Sequence, residues 1–268
     1  MRALTRNTDT SSGGGECQKC GIISNRLLFS GLLFKESRIA LARAQRGGAL
    51  YNSCRSKSRL RARNFMPDSL YLSLWFPDVE GPAMLPHILS VLQQFPFSDS
   101  IPGITYLSVQ PVSWNEASIL ERRFVPGVAP EEALVVAADL VHDDYAYIFD
   151  AHWDLWTPTG RGSITSAHEE WSLAPSRVKF IARGEEFDDG AFQQSGHIEV
   201  DFGLDSPFLQ ENLALTEDTQ ARVRDNVAKL VEFGVKAEKN TRANSRLLWS
   251  ESQENLAQKL VARLQRVQ

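Results

Sequence analysis

A single break in charge and patterning limits what this chain can fold into. Residues 1–65 carry 13 of the 29 Lys and Arg but only three of the 33 acidic residues, Asp9, Glu16 and Glu36, a formal +10. Residues 66–268 carry the other 16 basic and 30 acidic residues, a formal −14. All three cysteines (Cys17, Cys20, Cys54) precede the break, and all five histidines follow it. A stretch of one charge sign with weak apolar periodicity buries too little surface to offset the entropy of ordering. A core is therefore expected in 66–268 as one α+β domain, with 1–65 as a basic, disordered leader.

Three readings of the leader compete. It is rich in Arg and Ser and poor in acid, like an organellar transit peptide. Its alternating cations Arg55, Lys57, Arg59, Arg61 and Arg63 suit phosphates of nucleic acid or lipid. The third reading places the native start at Met66, just before Pro67-Asp68 and a well-patterned strand, so that 1–65 is not part of the working protein. Cys17 and Cys20 have the spacing of half a zinc knuckle, but only Cys54 remains as a further thiol and no histidine lies in this half. A structural zinc needs four ligands, so two cysteines in a flexible leader is the plainer account.

After Met66 the pattern is regular. Leu70, Leu72, Leu74 and Phe76 alternate with Ser69, Tyr71, Ser73 and Trp75, the period of a strand. Leu85, Ile88, Leu89, Leu92 and Phe95 then follow helical spacing after Pro82. Strands are expected over 104–109 and 117–125. A helix opening at Pro130-Glu131-Glu132 is expected to bury Leu134, Val135, Ala138 and Val141. The clearest strand follows: Tyr145, Tyr147, Phe149, Ala151, Trp153 and Leu155 alternate with Ala146, Ile148, Asp150, His152, Asp154 and Trp156. Residues 157–176 read as a loop rich in turn formers, and 177–183 and 197–202 as two further strands. The order β-α-β-β-α-β is that of the ferredoxin-like split βαβ, an antiparallel sheet with helices on one face, here extended by two strands. Residues 213–268 read as mainly helical, with one helix starting at Thr216 and a second capped by Ser250 and Gln253.

The residues best placed for chemistry lie on two of these strands. Asp150, His152 and Asp154 share one side of theirs, and His197, Glu199 and Asp201 share one side of the other. If the two strands were neighbours, two imidazoles and four carboxylates would converge on a divalent metal, which activates water for hydrolysis. The plainer reading is the solvated face of an antiparallel sheet. Thr159-Gly-Arg-Gly-Ser163 lacks the lysine of a phosphate loop, and His168-Glu169-Glu170 lacks the second histidine of a zinc helix. Glu185, Glu186, Asp188 and Asp189 resemble a calcium loop only in charge. There is no Gly-x-Ser-x-Gly nucleophile motif and no dinucleotide fingerprint.

These readings lead to a non-catalytic binding or assembly module, expected in the cytoplasm without a membrane partner. Self-association through the two amphipathic C-terminal helices is the expected route of assembly. The acidic balance argues against nucleic acid as a partner of 66–268. The alternative is a metal-dependent hydrolase using Asp150, His152, Asp154, His197, Glu199 and Asp201.

Overall fold

The computed structural model describes residues 67–77, 79, 83–159, 170–210 and 216–251. The basic segment with its cysteines, residues 160–169 and the apolar stripe of Leu256, Leu260, Val261 and Leu264 lie outside them. The elements in chain order are β1 (Ser69–Trp75), α1 (Met84–Leu92), β2 (Ile104–Pro111), β3 (Leu120–Val128), α2 (Pro130–Ala138), β4 (Tyr145–Pro158), β5 (Trp171–Arg183), α3 (Phe192–Ser195), β6 (Ile198–Leu204), α4 (Ser206–Leu209), α5 (Glu217–Asn240) and β7 (Ser245–Ser250).

The seven strands form one antiparallel sheet in the order β3-β2-β4-β5-β6-β1-β7. This corrects the ferredoxin-like expectation. β3, α2 and β4 do make a split βαβ, with β2 between the two parallel strands. β1 and β2, however, are separated by β4, β5 and β6. Alternation along a strand specifies its two faces and says nothing about its neighbours, so an element order alone allowed the wrong sheet. The β4–β5 hairpin pairs from Ala146 opposite Arg183 to Pro158 opposite Trp171. The expected loop over 157–176 is therefore largely strand from Trp171 onward. Turn-forming residues such as Ser172, Pro175 and Ser176 are carried in a ladder because the partner strand is long and strongly β-forming.

One sheet face is the core. Tyr147, Phe149, Ala151, Trp153 and Leu155 of β4, with Leu70, Leu72, Leu74, Leu107, Val109, Phe180, Val200 and Phe202, are buried in one cluster with side chains of α1, α2 and α5. Phe95 lies at its centre, with ring centroids 5.5 Å from Trp153, 5.0 Å from Phe180 and 5.4 Å from Phe233. α2 is rotated from the expected face: Ala133, Leu134 and Ala137 are buried, whereas Val135 is 71 % exposed.

Among the described carboxy-terminal residues, Glu217–Asn240 form a helix and Ser245–Ser250 a strand. α5 starts where the sequence indicates, with the Thr216 hydroxyl accepting from the Thr219 N–H at 3.4 Å. It buries Val223, Leu230, Phe233 and Ala237, and Leu230, Phe233 and Ala237 join the core cluster, so this apolar face is used within the chain. Asn226, 2 % exposed, fastens α5 to the sheet. It accepts from the Trp156 N–H and donates to the carbonyls of Trp156 and Pro207, each at 2.9 Å. Ser250 ends β7, which pairs with β1 from Leu70 opposite Ser250 to Trp75 opposite Ser245; the helix expected to follow it lies outside the described residues. No helix among the described residues is long and apolar enough to cross a membrane.

Candidate functional site

The second face of the sheet bears none of α1, α2 or α5. Strand register fixes what it presents. One row crosses all seven strands: Arg123, Tyr106, Asp150, Lys179, Asp201, Tyr71 and Trp249 are successive cross-strand partners. Charges of opposite sign alternate across its middle, an arrangement that stabilises neighbouring strands. At one end of the face, β5, β6 and the loops cover a polar group. There Arg183, 3 % exposed, lies under Trp114 with its guanidinium 6.0 Å from the ring centroid. It pairs with Glu199 at 3.4 Å and donates to the Gly196 carbonyl at 3.1 Å.

The six residues singled out from the sequence do face the same side, but β5 separates β4 from β6. Arg177, Lys179 and Arg183 therefore stand between the two sets of carboxylates. Asp154 accepts from the Ser98 hydroxyl at 2.6 Å and the Asp99 N–H at 3.1 Å, which ties the α1–β2 loop to β4. Asp201 accepts from the Gly203 N–H at 2.8 Å. His197 is 5 % exposed; its Nδ1 accepts from the Phe76 N–H at 3.0 Å, and its ring stacks on Phe192 at 4.6 Å. Its Nε2 is 3.5 Å from Glu185, and burial holds the imidazole below its ordinary pKa. Among the described residues no three His, Cys, Asp or Glu side chains come together as a metal-binding group.

Asp150 and His152 remain together. They line a cleft of about 430 Å³ with Thr105, Tyr106, Arg123 and Arg177. Asp150 is 5 % exposed, and its Oδ2 pairs with Arg177 Nη2 at 2.7 Å. Its Oδ1 is buried with no hydrogen-bond partner, and so is Nδ1 of His152. Burial raises the Asp150 carboxyl above its ordinary pKa, against the opposing pull of Arg177, Lys179 and His152. Burial lowers His152, partly offset by Asp150. At neutral pH the imidazole is therefore uncharged, with one nitrogen accepting and one donating. The cleft is lined by two guanidinium groups and a tyrosine, which suits a small ligand with an anionic group.

Sequence reasoning found Asp150 and His152 and missed Tyr106, Arg123 and Arg177. The signal for Arg177 was present: Arg177 and Lys179 alternate with buried Val178 and Phe180, one strand after Asp150 and His152. Arg123 and Tyr106 joined the site only through register. Comparison of the chain with known proteins finds no matching family, no matching curated protein and no matching solved structure.

Proposed function

We propose that this protein is a non-catalytic binding module that receives a small anionic ligand on the polar sheet face, between Arg123 and Arg177. The observation that carries the reading is the pair of guanidinium groups, Arg123 and Arg177, that line one cleft with Thr105 and Tyr106. Arg177 pairs with Asp150 through one Nη2 and is more than half exposed, so the rest of its fork is open to an anion. The cleft volume lies toward the lower end of small-molecule sites, which span roughly 300–1,000 Å³. The sequence supplies no nucleophile or cofactor motif beside it, which supports binding over turnover.

The test is an NMR titration of the full chain with acetate, benzoate and inorganic phosphate, following the His152 and Tyr106 ring signals. Saturable shifts confined to the cleft are expected for at least one probe, with at least tenfold weaker binding in the Arg123→Ala/Arg177→Ala double variant. Absence of saturable shifts for all three anions overturns the reading. So does unchanged affinity in a double variant that retains the wild-type fold by circular dichroism.

A further inference from the structure

We infer that the outer edge of β3 is a homodimer interface, where β3 pairs antiparallel with β3 of a second copy about a two-fold axis at Arg122. This stands apart from the anion reading and does not rest on it. β3 ends the sheet, and among the described strands its one neighbour is β2. An edge strand presents a row of N–H and C=O groups to any extended segment that fits them. Glu121, Arg122, Arg123, Val125 and Pro126 are exposed along this edge.

The charges along the edge select a second copy as the occupant. Glu121 and Arg123 stand on the polar face of the sheet, opposite Ser108 and Tyr106. In an antiparallel pair centred on Arg122, Glu121 faces the partner's Arg123, and symmetry makes that ion pair twice. On the other face the same register sets Leu120 against the partner's Phe124. Both are half-buried against the core of their own copy, so pairing extends an existing apolar surface. One step further out, Ile119, 47 % exposed, meets the partner's Val125, 94 % exposed. The single like-charged meeting is Arg122 with itself at the axis. Its guanidinium lies over the Phe124 ring of its own strand, 5.5 Å from the centroid, and so is held along the strand and not across the edge. Edge strands that avoid pairing carry charges that repel a second copy; a Glu and an Arg in alternate positions attract one. The irregular ladder between Arg123 and Val128, and the absent N–H of Pro126, end the pairing on that side. Arg123 also lines the cleft, and its five N–H groups suffice for the partner's Glu121 and a ligand anion together.

The test is sedimentation velocity of the full chain over a concentration series up to about 100 μM, a range that registers a weak dimer, with no ligand added. The wild type is expected to sediment as a dimer at the upper end. Glu121→Arg and Arg123→Glu each set like charges opposite one another at both symmetry-related positions, and each should raise the dimer Kd at least about tenfold. Mixing those two variants places opposite charges face to face again, and so does the Glu121→Arg/Arg123→Glu exchange within one chain. Both should return the dimer. Circular dichroism checks that each variant keeps the wild-type fold, and the exchange variant tests the register even where a single variant fails to fold. A wild type that stays monomeric throughout overturns the inference. So does a dimer that neither single charge reversal weakens, because another face then holds it. A dimer lost in both single variants and recovered in neither the mixture nor the exchange also overturns it.

Discussion

Replacing His197 tests whether the structure has correctly moved this residue from a ligand role to a structural one. Its Nδ1 accepts the Phe76 N–H at 3.0 Å in a place where Phe76 is 4 % and His197 5 % exposed. His197→Phe keeps an aromatic ring to stack on Phe192 and leaves the backbone N–H of Phe76 buried without an acceptor. An orphaned buried donor costs about 1–3 kcal/mol. For a chain of this size a loss of about 2 kcal/mol lowers Tm by roughly 4–8 °C. His197→Asn returns an oxygen near the Nδ1 position and is expected to recover part of that loss. The pH dependence carries a second test. Burial lowers the His197 pKa, with Glu185 opposing and His87 and Arg183 reinforcing. The unfolded chain, whose histidine titrates near pH 6.5, therefore binds its proton first as pH falls. Stability is fully present above about pH 6.5 and declines below it, by at most about 1.4 kcal/mol per pH unit for this group. Urea unfolding followed by tryptophan fluorescence at about pH 7.5 and about pH 5.5 should show a shallower acid loss in His197→Phe than in the wild type. If His197→Phe is as stable as wild type at neutral pH, or loses stability with acid just as steeply, the assigned hydrogen bond is not what holds this segment.

Three further outcomes are expected. Asn226→Ala removes three hydrogen bonds between α5 and the Trp156 and Pro207 backbone and should cost about 2–3 kcal/mol in urea unfolding; a loss below the scatter of the exposed control Val135→Ala would contradict the role of this contact. Phe95→Ala empties the centre of the aromatic cluster and should cost about 3–5 kcal/mol, measured as a lower urea midpoint with an unchanged slope. Arg177→Met strips Asp150 of its 2.7 Å partner. Because Arg177 is itself more than half exposed, the cost at neutral pH is discounted to about 1–2 kcal/mol. A carboxyl already raised by burial is raised further in that variant. Its penalty is present when Asp150 is ionised and relieved as pH falls through the raised pKa, so the variant and wild type should converge in acid; a constant difference at every pH would refute this.

Much of the fold and two of the six residues of the candidate site, Asp150 and His152, were legible in the chain. The alternation of β4 and β1, the helical spacing before Phe95, the Pro130-Glu131-Glu132 start and the Thr216 cap each come from short-range physics: side-chain direction along an extended or helical backbone, and the partners open to the first N–H groups of a helix. That physics put Asp150, His152 and Asp154 on one side of their strand, and His197, Glu199 and Asp201 on one side of theirs. It could not supply neighbours. β7 was overlooked because six residues, Ser245–Ser250, with two adjacent leucines carry no clean period, and they become a strand by pairing with β1. β5, placed between β4 and β6, set three cations between the two sets of carboxylates, and the register of β2 and β3 brought Tyr106 and Arg123 to Asp150. A strand's faces follow from its own residues, whereas strand order and register are set by contacts between segments far apart in the chain. For that reason the polar face of this protein was fixed by its sequence, and the composition of its cleft was decided only by the assembled sheet.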